Sequence, residues 1–310
     1  ILRLTNGATF FNGTTGSGGF VVGNTFSIAN HPIRLESGLG GVFRVWGGQT
    51  VTILSPIMGP GQFTKVDTGS LILGGTNSYG GATLMENGYL YLNRSGASIV
   101  SNVVRMGAGN ANQPHLRMMQ NNQFAPGVVM VFSNAWGNWC RFDLQGTAQT
   151  LAGIDTAGAQ RGAIVQNERL GAGGTTANGT LTVSNAVDYA YWGYLRDVDD
   201  RGTTYKLNLV NTGAGAQTIR GGAVNYSGFT TVNQGTLRLY NTSIFASSVI
   251  TNNSAVQFYT DSNDTIALNA CRLSGTNAWT VDGAGGGTQY QNRTILRGNG
   301  SAWASVSGGG

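Results

Sequence analysis

One pattern recurs along the whole chain: short runs in which apolar and polar residues alternate, each bounded by Gly, Asn, Asp or Ser. Alternation with a period of two predicts β-strands, and the bounding residues predict turns. No long segment keeps the apolar period of about 3.6 residues that marks an amphipathic helix, so we predict no substantial helix. The clearest predicted strands are FFNGTTG, FRVWGG, TVTILS, SLILGG, YLYLNRS, VVMVFSN, TLTVSN, KLNLVNTG, TLRLYN and VQFYTDS.

Strands at this spacing could build a sandwich, a barrel or a solenoid. An internal repeat favours the solenoid, because self-similarity at a fixed offset is typical of stacked units. Residues 69–93, the first repeat, match residues 216–240, the second repeat, at an offset of 147. The identical pairs are Ile72/Ile219, Gly74/Gly221, Gly75/Gly222, Tyr79/Tyr226, Gly81/Gly228, Thr83/Thr230, Gly88/Gly235, Leu90/Leu237 and Leu92/Leu239.

Composition supports stacked coils. The chain has 310 residues, of which 50 are glycine, 40% are hydrophobic and only 10% are charged. Glycine and asparagine supply the positive φ angles that tight turns between coils require. We therefore predict an all-β fold, a parallel β-helix in the form of a single elongated rod. We expect residues 1–310 to be one continuous β-helix, a segment of a longer chain, with repeat motifs at about 65–93 and 212–240.

The two repeats resemble the autotransporter-associated β-strand repeat, also called the passenger-associated transport repeat, of large bacterial surface proteins. The family pattern runs roughly G-x-L-x-L-x-G-x-N-x-Y-x-G-x-T-x-V-x-x-G-x-L-x-L. The chain departs from it at Leu84 and Met85, at Arg220, and at Asn225, which directly precedes the motif tyrosine. The residues that carry the resemblance as a structural repeat are Gly75, Tyr79, Gly81, Gly88, Gly222, Tyr226, Gly228 and Gly235.

This resemblance implies a right-handed β-helix, secretion, and a place outside a bacterial cell or on its outer membrane. It implies a non-catalytic structural or adhesive protein, in which the repeats form a rigid stalk or fibre. The open coil ends predict partners: neighbouring repeats or further copies of the chain, stacked end to end. The alternative from a different class is a β-helix that binds or degrades polysaccharide.

An enzyme of that second class needs acidic residues, and the chain has only 13 Asp and Glu together. Their one cluster is Asp197, Asp199 and Asp200. Alternation would place the first two on one face of a strand, where they could hold Ca²⁺; a solvated loop is the competing interpretation. His31 and His115 have no carboxylate or cysteine beside them in sequence, so we predict no catalytic residue and no cofactor.

Aromatic residues offer a second kind of site. Trp136, Trp139, Tyr191 and Trp192 could stack on sugar rings along the rod. The competing interpretation is that these rings fill the interior, where large apolar residues usually lie.

Charge and hydropathy exclude two partner classes. The net charge of +5 comes almost entirely from scattered arginines, without the concentrated basic patch of a nucleic-acid binder. No segment has the run of about 18 apolar residues that a transmembrane helix needs. Cys140 and Cys271 are too few for a disulfide framework, and we expect two buried free thiols.

Overall fold

A computed structural model describes thirteen stretches of the chain. They are residues 2–4, 8–12, 26–38, 40–107, 113–133, 138–158, 162–168, 177–197, 205–220, 224–240, 247–261, 271–277 and 279–284. The described residues contain strands, turns and bends but no helix. Consequently, no helix there is long and apolar enough to cross a membrane.

Thirty short strands follow one another along these stretches. The first ten are β1 (Leu2–Leu4), β2 (Ala8–Asn12), β3 (Phe26–Ile28), β4 (Ile33–Leu35), β5 (Gly41–Val45), β6 (Thr50–Ile53), β7 (Ile57–Gly59), β8 (Phe63–Val66), β9 (Ser70–Leu73) and β10 (Ser78–Tyr79). The next ten are β11 (Thr83–Met85), β12 (Tyr89–Leu92), β13 (Val103–Met106), β14 (His115–Met118), β15 (Val129–Phe132), β16 (Cys140–Asp143), β17 (Ala148–Leu151), β18 (Gly153–Thr156), β19 (Ala163–Gln166) and β20 (Gly179–Val183). The last ten are β21 (Tyr189–Tyr191), β22 (Tyr194–Arg196), β23 (Leu207–Asn211), β24 (Ala216–Arg220), β25 (Phe229–Val232), β26 (Thr236–Tyr240), β27 (Val249–Asn252), β28 (Ala255–Asp261), β29 (Arg272–Gly275) and β30 (Trp279–Ala284).

Every strand pairs in parallel with at least one strand of a neighbouring turn, and strands inside the sheets pair on both sides, which confirms the predicted β-solenoid. Three sheets begin the stack: β1-β4-β7-β10, then β2-β5-β8-β11-β13-β15-β18, and β3-β6-β9-β12-β14-β16-β19-β22. Two sheets continue it: β17-β20-β23-β25-β27-β29 and β21-β24-β26-β28-β30. All ten runs that the alternation marked as strands contain strands of the structure.

These five sheets lie on three faces of the rod. Face 1 begins with the β1 sheet and passes through the parallel bridge between Ile99 and Phe124. It then joins the β17 sheet, where the Asn122 amide donates to the Ala148 carbonyl. Face 2 runs from the β2 sheet into the β21 sheet, and face 3 is the β3 sheet. Face 3 continues past β22 through a parallel bridge from Leu195 to Val224.

The interior consists of columns in which apolar side chains of successive turns stack on one another. Because side chains alternate along a strand, one set points inward on every turn, and parallel pairing places each inward residue on its counterpart in the next turn. One such column on face 3, fully buried throughout, is Val51, Leu71, Leu90, Leu116, Phe142, Val165 and Leu195. Cys140 and Cys271 are free and buried in this interior, as predicted.

The two repeats do not occupy the same faces. In the first, β9, β10, β11 and β12 lie on faces 3, 1, 2 and 3. In the second, the equivalent segments are β24 on face 2, the stretch after Val224 on face 3, β25 on face 1 and β26 on face 2. The second repeat is therefore rotated by one face about the rod axis. That residues 1–310 form one uninterrupted β-helix stays a prediction.

Candidate functional site

The motif tyrosine of the first repeat anchors a buried chain of hydroxyl groups. The Tyr79 ring is 1% exposed, and its hydroxyl lies 2.7 Å from Thr83 Oγ1. Thr83 Oγ1 in turn lies 2.9 Å from Ser101 Oγ, which donates to the Val103 carbonyl. Burial raises the pKa of Tyr79, so this hydroxyl stays protonated. The chain of hydroxyls links three consecutive segments of the rod.

The second repeat builds the same chain from equivalent residues. The Tyr226 hydroxyl lies 2.6 Å from Thr230 Oγ1, which lies 2.9 Å from Ser247 Oγ. Ser247 Oγ lies 2.8 Å from the Gly228 carbonyl and 3.2 Å from the Val249 carbonyl, and the second contact is the equivalent of that between Ser101 and Val103. The repeated tyrosine and threonine therefore make the same buried hydrogen bonds in both repeats, although the two repeats lie on different faces of the rod.

The motif glycines lie where neighbouring turns come too close for a side chain. A Cβ atom at Gly75, Gly81 or Gly228 would stand 1.9–2.4 Å from backbone atoms of the preceding turn. Gly88 and Gly235 also have positive φ angles, 70° and 65°. Both reasons require glycine at these two positions. Gly222 lies outside the described residues.

The predicted acidic site is only partly described. The Asp197 carboxylate accepts hydrogen bonds from the Leu207 amide and from the amide and hydroxyl of Ser227. Asp199 and Asp200 lie outside the described residues, so calcium binding by the three together stays a prediction.

The described residues of the predicted aromatic site do not form one surface. Tyr191 is fully buried and its hydroxyl donates to the Tyr194 carbonyl, which corrects its assignment as a sugar contact because neither ring face is reachable. Trp139 is half-buried and packs edge-on against Tyr194, with ring centroids 5.4 Å apart. Trp136 lies outside the described residues. Of the two interpretations given for the aromatic residues, filling of the interior is the one that applies to Tyr191.

Trp192 belongs to a stacked column on face 2. The Arg220 guanidinium lies 4.2 Å from its ring centroid and 4.7 Å from that of Tyr240. Tyr240 then stacks on Tyr259, with centroids 4.7 Å apart and planes 3° from parallel. Tyr240 is thus stacked between Arg220 and Tyr259, and Arg220 also covers one face of Trp192. Glycan stacking on Trp192 stays a prediction.

Face 3 carries a polar ladder that sequence reasoning missed. Its members point outward from five successive strands and are Tyr91, Arg117, Asp143, Gln166 and Arg196. Arg117 Nε donates to Asp143 Oδ2 at 3.1 Å, and its Nη1 lies 3.2 Å from the Tyr91 hydroxyl. Gln166 donates to Asp143 and accepts from Arg196. Asp143 is fully buried although it points away from the interior.

His115 completes the surroundings of this ladder. Its Nε2 lies 2.9 Å from Arg141 Nη1, and its buried Nδ1 lies 3.8 Å from Asp143 Oδ2, beyond hydrogen-bonding distance. Burial lowers the pKa of His115, and the nearby arginines lower it further. Burial alone would raise the pKa of Asp143, but His115, Arg117 and Gln166 hold it below its usual value.

Three groups of this cluster could be read as metal ligands: His115, Asp143 and Glu168, whose donor atoms lie within 4.8 Å of one another. A guanidinium already fills the cationic role, because Arg117 contacts Asp143 at 3.1 Å and Glu168 at 3.8 Å. Arg141 can only donate to Nε2, which places the proton of neutral His115 on Nδ1, the atom that faces Asp143. A protonated nitrogen does not ligate, so we assign the cluster to internal charge pairing.

Comparison with known proteins agrees with the geometry. The sequence pattern of the passenger-associated-transport-repeat family matches residues 63–92 and 209–239. The adhesin BmaC autotransporter of Brucella suis biovar 1 (strain 1330) is 27% identical over 215 residues. That alignment covers 69% of this chain but 5% of the relative, so the chain corresponds to a small part of that protein. No solved structure matches the chain.

Both matched regions coincide with the two repeats that share the buried tyrosine, threonine and serine chain. The family match therefore confirms the resemblance that the glycine and tyrosine spacing suggested. This chain is a parallel β-solenoid that carries two passenger-associated-transport-repeats.

Proposed function

We propose that this chain is a length of rigid, non-catalytic stalk in a bacterial adhesive protein at the cell surface or outside the cell. The observation that carries the proposal is the duplicated hydroxyl chain: Tyr79 and Tyr226 are buried in equivalent positions and bond equivalent partners. Motif residues that turn inward and bond to the next turn serve stacking. The adhesin named among the relatives supports the adhesive part.

Self-assembly belongs to the same proposal. Parallel coils leave unpaired backbone groups at each end of a stack, and these groups pair with another coil when one is available. Further repeats of the same chain, or other copies of it, are partners of the required chemistry.

The polysaccharide alternative is not favoured. A glycosidase needs two carboxyl groups placed across a sugar bond. Asp143 and Glu168 are close together, but both are largely buried and paired with Arg117. Sugar contacts at Trp139 and Trp192, and a calcium ion at Asp197, stay predictions that Trp192→Ala and calcium titration can test separately.

Labelling of intact cells tests the proposal. Antibodies raised against the purified chain should label unpermeabilised cells of the source bacterium, and externally added protease should remove the signal. Electron microscopy of the purified chain should show straight rods, or filaments if the ends stack. Labelling that appears only after permeabilisation would contradict the surface location, and compact particles would contradict the stalk.

Catalysis is tested independently on a panel of acidic and neutral polysaccharides. We expect no new reducing ends and no unsaturated uronate products from the purified chain. Turnover that is lost in Asp143→Asn while the rod stays folded would overturn the non-catalytic assignment.

A further inference from the structure

The contact between His115 and Arg141 fixes the protonation state of the histidine ring. Arg141 Nη1 lies 2.9 Å from Nε2. A guanidinium can only donate hydrogen bonds, so Nε2 must accept and must be unprotonated. The proton of the neutral ring therefore lies on Nδ1, which is buried and faces Asp143 Oδ2. The bond exists only while His115 is neutral.

The surroundings determine what protonation would do. Among the described residues, the ionisable groups around the ring come from the strands on either side, from its own strand and from the segment after β19: Tyr89, Tyr91, Arg117, Arg141, Asp143 and Glu168. Asp143 faces Nδ1 and would receive a stronger contact from a charged ring. Arg141 faces Nε2 and would meet an N–H group and a like charge.

The two arginines differ in their freedom to respond. Arg117 is 7% exposed, pairs with Asp143, and lies 4.6 Å from the Tyr89 ring centroid. Arg141 is half-buried on the outward side of β16. Arg141 can therefore move away from the His115 ring without breaking an ion pair to the buried Asp143 carboxylate, whereas Arg117 cannot.

We propose that the contact between His115 and Arg141 is an acid-sensitive latch on face 3. A proton from solvent binds Nε2 as the pH falls below the usual histidine range, about 6.5. The hydrogen bond from Arg141 is lost, and its guanidinium turns toward solvent. The charged ring is retained by Asp143, and face 3 gains one positive charge.

Nitrogen NMR on the intact chain tests the protonation state without a disruptive variant. The chain has two histidines, so His31→Gln leaves His115 as the single imidazole signal. At pH 8 we expect the tautomer with the proton on Nδ1, and in acid a ring protonated on both nitrogens. A proton on Nε2 at pH 8 would overturn the proposal.

Arginine modification tests the release of Arg141. Mass spectrometry should show the ratio of phenylglyoxal adducts at Arg141 to those at exposed Arg105 rising at least about threefold between pH 7.5 and pH 5. In Arg141→Ala the midpoint of the His115 titration should rise by about 0.5–1 pH unit, because a nearby cation disfavours ring protonation. Arg105→Ala, on another face, should leave it unchanged. A constant adduct ratio, or equal midpoints in both variants, would refute the latch.

Discussion

The hydrogen bond between a tyrosine hydroxyl and a threonine hydroxyl explains why the motif has threonine four residues after tyrosine. The ring of Tyr79 fills the interior while its hydroxyl reaches Thr83 at the next corner of the coil. Ser101, one turn further on, continues the chain of hydrogen bonds. A buried hydroxyl needs such a partner, because an unsatisfied polar group is costly in the interior. The tyrosine and threonine of the motif therefore satisfy each other's need for a buried hydrogen-bond partner.

Removing this hydroxyl should weaken the rod by a small, measurable amount. For Tyr79→Phe we expect the free energy of unfolding to fall by about 1 kcal/mol, the usual net value of one buried hydrogen bond. Tyr226→Phe should lose a similar amount, because its bond to Thr230 is equivalent. Urea unfolding measures both. Tyr89→Phe, at a half-buried outward position, is the control and should stay within about 0.5 kcal/mol.

The motif glycines are a second requirement at residue scale. Gly88→Ala should destabilise the chain by about 1–3 kcal/mol, since φ is 70° and the new Cβ would stand 2.3 Å from the Asp67 carbonyl oxygen. Gly80→Ala, where no atom lies within 4 Å of the added Cβ, should be nearly neutral. Thermal unfolding of the two variants compares them, and equal midpoints would show that the close approach is unimportant.

At the scale of strands, parallel pairing turns scattered residues into continuous ladders. The Arg117 and Asp143 pair joins two neighbouring strands, with side chains 9% and 0% exposed. Arg117→Met should cost about 3–5 kcal/mol, because it leaves the Asp143 carboxylate buried without its cation. Adding Asp143→Leu should recover part of that loss.

The exposed pair of Arg44 and Asp67 provides the control. Arg44 is 45% exposed and bonds both carboxylate oxygens of Asp67. Arg44→Met should cost less than about 1 kcal/mol, because surface ion pairs contribute little. Chemical denaturation that gives the same loss for both arginines would contradict the importance of burial.

The same ladder predicts acid sensitivity. The pKa of His115 is lowered in the folded chain from its usual 6.5, so between the two values the unfolded chain binds a proton that the folded chain does not. The free energy of unfolding should then decrease as the pH falls below 6.5. The lowered pKa of Asp143 adds a second loss at more acidic pH. His115→Gln should remove the first loss and keep the second in urea titrations from pH 8 to pH 3. An unchanged slope between pH 6.5 and pH 5 in this variant would refute the assignment.

The sequence predicted the strands and the repeat but not the ladder, for a physical reason. Alternation depends on neighbours in the chain, so runs such as YLYL are recognisable directly. The neighbours of His115 come from adjacent turns, and Asp143 meets it only once the register of β14 and β16 is known. An alignment of the outward positions of consecutive predicted strands could have identified the ladder residues. Tyr191 pairs in register with the buried residue Ile219, and it too points into the interior.

At the scale of the whole molecule, the second repeat is turned by one face relative to the first. The exposed residue before each motif tyrosine, Ser78 or Asn225, therefore points in a different direction. Phe229, 38% exposed on face 1, shares the face of Ser78. Spin labels at Ser78→Cys and Phe229→Cys should be closer together than labels at Ser78→Cys and Asn225→Cys, because only the second pair also spans the rod's width. Double electron–electron resonance measures both distances, and the reverse order would place the repeats on one face.

This rotation determines how the outer surface of each repeat is presented. The outward residue before the motif tyrosine lies on face 1 in the first repeat and on face 3 in the second. The same buried tyrosine and threonine bonds therefore support outer surfaces that are displayed on two different sides of the rod.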